Sequence, residues 1–137
     1  MKVAITTRTT SCLGKEFVKT IIGKMPEINE IWLIACWKEM LEKIAEDSQS
    51  ISFKLLPFDL SDDEILNNFK EILVHEKSNI KLLIINAGIV RSGEFKKVDL
   101  KRQKMVFSLN SKVPIILTYM ALIIWNQKVW LSTVLCC

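Results

Sequence analysis

Glycine is scarce in this chain, with four in 137 residues, and tyrosine and histidine occur once each, as Tyr119 and His75. The four cysteines, Cys12, Cys36, Cys136 and Cys137, show no C-x-x-C spacing, and His75 is remote from all of them in sequence. This pattern argues against a zinc site or a disulfide framework, so no metal and reduced thiols are expected. The longest apolar run, Val113 to Trp125, is shorter than the roughly 20 residues that span a bilayer, and it reads as a buried helix. The N-terminus opens directly into a strand pattern, so no signal peptide is expected. A cytoplasmic protein with no membrane contact is therefore expected. Linkers, internal repeats and low-complexity segments are also missing, which leaves one unit.

What is present is a core. A length of 137 residues supports one domain and not two. Half of the residues are hydrophobic, a bias that parallel strands covered on both faces produce. The net charge of +4 comes from lysines and arginines spread along the chain. Without a basic cluster, no nucleic-acid partner is expected.

Taken in order, the chain alternates strands and helices. Val3 to Thr6 is an apolar strand, and Leu13 to Met25 a helix ended by Gly23 and Pro26. Ile31 to Ala35 is a second strand. Trp37 to Ala45 is a helix with Met40, Leu41, Ile44 and Ala45 inward. Ile51 to Phe58 is a third strand. Ser61 and Glu64 have capping-box spacing and open a third helix that runs to about His75. Ile80 to Ile85 is a fourth strand, followed by a loop containing Ser92. A long helix, about Leu100 to Trp125, is expected to break near Pro114. Lys128 to Thr133 reads as a fifth strand. Such alternation implies parallel pairing through right-handed crossovers, a doubly wound α/β sheet of about five strands with helices on both faces. The chain is expected to be incomplete on its C-terminal side, which would expose an apolar edge and favour a homo-oligomer.

The stretch Lys2 to Phe17 carries the first chemical signal. A strand feeding a polar loop and then a helix N-terminus presents backbone N–H groups and a positive dipole end to a phosphate. A dinucleotide loop of this kind uses glycines for its tight turn and close approaches, and here only Gly14 is present. Just past the second strand, an acidic residue would hold the ribose 2′-hydroxyl of NAD. This chain has Cys36, Trp37 and Lys38 there. Lys38 can meet a 2′-phosphate or be an ordinary solvated lysine; the first makes NADP the expected cofactor, ahead of NAD. Asp59, after the third strand, also invites comparison with a phosphoacceptor. That chemistry needs further acids after the first strand to hold magnesium, where Thr6, Thr7 and Arg8 stand.

In order and spacing these stretches resemble the N-terminal half of a short-chain dehydrogenase/reductase. Thr7 to Gly14 (TRTTSCLG) lies without a gap on that family's Thr-Gly-x-x-x-Gly-x-Gly loop. Thr7 and Gly14 match, Arg8 replaces the first glycine and Cys12 the second. Asp59-Leu60 matches the family's Asp near the adenine, and Asn86-Ala87-Gly88 its Asn-Ala-Gly beside the cofactor ribose. Asn110 stands where the family keeps the helix asparagine of its catalytic tetrad. The resemblance implies a Rossmann-type fold and an NAD(P)-dependent oxidoreductase acting on a small carbonyl or alcohol. It places the cofactor on Thr7, Arg8, Ser11, Leu13, Gly14, Lys38, Asp59, Leu60, Asn86, Ala87 and Gly88, with Asn110 as the one catalytic-site residue. The family's Tyr-x-x-x-Lys pair is missing: Tyr119 is followed four residues later by Ile123. That Lys lowers the Tyr pKa for proton transfer, so this chain by itself is expected to be inactive. The other readings are a non-catalytic nucleotide-binding or oligomerising module, and a fragment with no function of its own.

Overall fold

The computed structural model describes residues 1–48, 50–77, 79–90, 93–124 and 130–133, with backbone alone for 124 and 130–133. Ser92, Trp125, Lys128, Cys136 and Cys137 lie outside the described residues. In chain order the elements are β1 (Lys2–Thr7), α1 (Cys12–Lys24), β2 (Glu30–Ile34), α2 (Lys38–Glu46), β3 (Ser52–Leu56), α3 (Asp63–Glu76), β4 (Asn79–Ile85), α4 (Leu100–Phe107), α5 (Val113–Ile124) and β5 (Trp130–Thr133). All strand pairs are parallel, and the sheet order is β3-β2-β1-β4-β5. The chain leaves β1 toward one edge and, after β3, returns to place β4 on its other side. That reversal opens a crevice at the carboxyl ends of β1 and β4, where ligands of open α/β sheets bind.

Alternation along each strand sorts the core into two layers. Val3, Ile5, Trp32, Ile34, Leu83 and Ile85 pack under α3 and α5, against Leu66, Phe69, Leu73, Val113, Leu117 and Met120. Ala4, Ile31, Leu33 and Ile84 pack under α1 and α2, against Val18, Ile21, Leu41 and Ile44. The doubly wound reading therefore holds. One irregularity lies between β1 and β4: Val3 pairs with Ile80 and Ala4 with Leu82, so Lys81 is an extra residue. This bulge lets Ile80 and Leu83, three apart, face the same layer.

Several local expectations are corrected. Asp62, not Ser61, caps α3, its carboxylate accepting from Glu64 N at 2.9 Å. Ser61 instead donates its N–H and hydroxyl to Asp59 Oδ1 at 2.9 and 2.7 Å, because a charged acceptor two residues upstream is the stronger partner. Met40 is exposed while Leu41 and Ile44 are buried, so α2 covers the sheet with a narrower stripe. The break in the long helix is a π-helical turn, Ser108–Lys112, just ahead of Pro114. Pro114 has no N–H for the carbonyl of Asn110 and its ring crowds that group, so the chain widens in the preceding turn. The helical stretch Leu100–Ile123 is long and apolar enough, by length and composition, to cross a bilayer, which the shorter run Val113 to Trp125 did not indicate. One side of α5, through Val113, Leu117, Met120 and Ala121, is nonetheless buried on the sheet. Its other side leaves Ile115, Tyr119, Leu122 and Ile123 exposed.

Trp32 and Phe69 form the centre of the larger layer, with rings edge-to-face at 6.4 Å. Removing that ring leaves a cavity, so Phe69→Ala is expected to destabilise by about 3–5 kcal/mol in denaturant unfolding. At the β3 edge, Lys54 lies 4.7 Å from the Trp32 ring centre and pairs with Glu76 at 2.6 Å. The hydrogen bond and charge of Lys54 hold the Glu76 carboxyl below its ordinary value. Its contribution to stability is therefore present above the unfolded carboxyl's pKa and fades as pH falls through the lowered one. Glu76→Gln is expected to flatten the acid limb of a stability-against-pH curve, and an unchanged limb would exclude this pair as a source of acid sensitivity.

Candidate functional site

The crevice is built around one hydroxyl. Thr7, the last residue of β1, is fully buried. Its Oγ1 accepts from the backbone N–H of Asn86 and of Ala87, each at 2.9 Å. Those two amides sit just past β4, so the bond pair ties together the carboxyl ends of the two central strands. Asn86 extends the tie sideways. Its Nδ2 donates to Ser11 Oγ at 3.1 Å, and Ser11 Oγ accepts from Gly14 N at 3.0 Å and donates to the Arg8 carbonyl at 2.9 Å. Thr7, Ser11, Gly14 and Asn86 are thus one network that shapes the loop at the start of α1.

Gly14 is in this network for lack of a side chain. A Cβ there would lie 2.4 Å from the Arg8 carbonyl oxygen and 2.7 Å from Thr9 Cα. Only glycine allows α1 to start so close to the loop. Arg8 is the opposite case. Its φ of 52° lies in the left-handed region, where a non-glycine residue is strained by roughly 1–2 kcal/mol. Cys12 has no such conformation: it opens α1 and is exposed. Of the two residues that replace loop glycines, Arg8 alone takes the left-handed conformation.

Beyond this loop the crevice widens into a cavity of about 220 Å³. Arg8 and Thr10 line it from the loop, Cys36 and Trp37 from the end of β2, Asp59 and Leu60 from the segment after β3, and Ala87, Gly88 and Ile89 from that after β4. Asp59 is already oriented by Ser61. Partial burial, with Asp59 adding to it, pushes the Cys36 thiol up, so it stays protonated near neutral pH. Leu13, half-buried on α1, is not among the residues that line this cavity. Neither is Lys38, which pairs with Glu42 one helical turn on, at 3.6 Å.

Asn110 sits in the π-helical turn and clamps the wall of the crevice. Its Oδ1 accepts from Ile89 N at 2.8 Å and its Nδ2 donates to Ile89 O at 2.7 Å. A Cβ at Gly88 would approach Asn110 Oδ1 to 3.0 Å, so the glycine permits the contact. Asn110 therefore shapes the loop after β4 from the opposite helix. Thr10, Phe58, Ile89 and Leu109 also line the cavity. Sequence reasoning passed over them because Thr10 fills a variable position of its loop motif and Phe58, Ile89 and Leu109 only adjoin or neighbour motif residues. Ser132 and Thr133 in β5 pair with Ile84 and Ile85, which brings that strand's carboxyl end beside the crevice. Tyr119 belongs to the exposed face of α5. Among the described residues no His/Cys/Asp/Glu group of three or more is arranged to hold a metal.

With this geometry in hand, comparison with known proteins is decisive for the family. A short chain dehydrogenase model matches residues 2–130. The chain belongs to the short-chain dehydrogenase family. It is 28% identical over 126 residues to the dehydrogenase/reductase SDR family member 7B of Xenopus laevis, across 85% of this chain and 38% of that protein. Among solved structures of this family fold, it is similar to the Sphingobium yanoikuyae short-chain dehydrogenase in complex with NADPH. The TM-score is 0.77 at 22% identity, over 88% of this chain and 47% of that one. It is likewise similar to the NADPH-bound carbonyl reductase from chicken fatty liver, with a TM-score of 0.74 at 20% identity over 88% and 50% of the two chains. The chain spans about half the length of these two structures and 38% of the Xenopus laevis relative.

The two amides held by Thr7 are the point to test. Thr7→Val leaves both without an acceptor in a buried place and is expected to destabilise by about 2–4 kcal/mol. Thr7→Ser keeps the oxygen and is expected to retain most of that stability in thermal unfolding. Equal losses in the two variants would assign the effect to packing of the methyl group instead.

Proposed function

We propose that this chain binds a nicotinamide dinucleotide, NADP in preference to NAD, in the crevice at the carboxyl ends of β1, β2 and β4. It would be the cofactor-binding part of an oxidoreductase for a small carbonyl or alcohol. The carrying observation is the cavity itself: its walls come from the loop after β1, the end of β2 and the segments after β3 and β4, the four places that meet a dinucleotide in this architecture. Asn86 adds an unused acceptor, since its Oδ1 is buried with no hydrogen-bond partner among the described residues.

The residues fit such a ligand. Trp37 and Leu60 offer apolar surface to an adenine, and Asp59, held by Ser61, offers a carboxylate oxygen to its amino group. Ser11 and the N-terminus of α1 stand where the pyrophosphate would lie. The bound nicotinamide would supply the hydride chemistry. This chain's own residues supply binding and orientation, and Asn110 acts as a positioning residue through Ile89. The 137 residues contain no Tyr-x-x-x-Lys, so we propose that this chain alone does not complete the proton step of carbonyl reduction. A second reading, a non-catalytic nucleotide-binding or oligomerising module, draws on the exposed apolar side of α5, with Ile115, Tyr119 and Leu122.

Titration with NADPH and NADH tests the proposal. Trp37 lines the cavity and is 68% exposed, so occupancy should quench its fluorescence. The expected outcome is saturable quenching with a matching rise in Tm, stronger for NADPH, with the quenching but not the Tm shift lost in Trp37→Phe. Absence of binding by either cofactor at about 1 mM, a binding energy near −4 kcal/mol, would overturn it.

A further inference from the structure

We infer that Arg8 selects the cofactor, its guanidinium taking the 2′-phosphate of NADP, a task that sequence spacing assigns to Lys38. This rests on the cofactor reading above and deepens it. Arg8 replaces a glycine at a position whose φ of 52° favours glycine. The chain holds that strained conformation at the mouth of the cavity. Arg8 shares the cavity wall with Cys36 and Trp37, the segment past β2 that faces the adenosine ribose in doubly wound sheets.

The charges around the cavity favour an anion at that point. Among the described residues that line it, Arg8 is the only cation and Asp59 the only anion, and Asp59 lies past β3 with Ser61 on its carboxylate. No acid stands at the end of β2 to accept a free 2′-hydroxyl, as NAD would require. The Cys36 thiol, pushed up from its ordinary value by partial desolvation and by Asp59, adds no negative charge there. No ion pair joins Arg8 to a carboxylate among the described residues, whereas Lys38 pairs with Glu42 away from the cavity. A planar guanidinium offers a phosphate two parallel hydrogen bonds. The substituted glycine that weakens a general dinucleotide loop thus becomes a selective one.

Arg8→Gly separates the two effects, because glycine suits the backbone and the variant should fold. Fluorescence titrations of the whole chain would use NADPH, NADH, adenosine 2′,5′-bisphosphate and 5′-AMP at two salt concentrations. Wild type is expected to bind the 2′-phosphorylated member of each pair about tenfold or more tightly, with the steeper salt dependence. In Arg8→Gly the preference is expected to vanish through a weaker NADPH Kd, with NADH binding unchanged or tighter. An unchanged ratio in Arg8→Gly overturns the inference, as does a loss of preference that follows Lys38→Met instead. Equal binding of NADPH and NADH by wild type overturns it too, while leaving the cofactor reading intact. Binding of neither overturns both.

Discussion

A buried threonine hydroxyl holds the working end of this fold together. Adjacent parallel strands align their carboxyl ends, but nothing in the ladder dictates where the chain goes next. At β1 and β4 the question is settled by Thr7, whose oxygen accepts the first two amides past β4. Those amides have left the ladder and would otherwise be buried donors without acceptors, a larger penalty than any one added hydrogen bond repays. Because Asn86 then reaches Ser11, and Ser11 caps α1, the same tie orders the loop on the β1 side. The crevice is therefore a consequence of hydrogen-bond satisfaction.

Close approach is the second constraint, and it acts through absent atoms. Gly14 lets α1 press against the loop, and Gly88 lets the segment after β4 lie against Asn110. Asn110 is available for that contact because the helix widens ahead of Pro114. A backbone rule about proline thus ends in a side-chain clamp on the crevice wall. Arg8 runs against the pattern, a bulky residue in a conformation suited to glycine. Such a conformation persists only where the surrounding structure over-determines it.

Much of this was legible beforehand, for reasons that can be named. Apolar runs such as Ile31 to Ala35 and Leu82 to Ile85 mark strands covered on both sides, and the intervening helical periodicity left few topologies. Thr7, Gly14, Asp59, Asn86 and Asn110 were found by spacing, and the structure brings all five to the crevice. Spacing misled where neighbours competed. Ser61 has the position of a helix cap, yet Asp59 draws it away and Asp62 caps instead. There the pattern named a possible partner, and a nearer charge took it.

What the sequence by itself determined is the class of the fold and the places where chemistry belongs, because periodicity and turn residues act over a few positions and need no distant partner. Tertiary structure decided which residues meet. Arg8 joins Cys36, Trp37 and Asp59 around one cavity although they stand up to 51 positions apart. Asn86 bonds Thr7 and Ser11, from which it is separated by 79 and 75 positions. Contacts of that range arise only after the crossovers have laid the strands in the order β3-β2-β1-β4-β5. That order follows from how two apolar layers are covered at once, which is a property of the whole chain and of no segment in it.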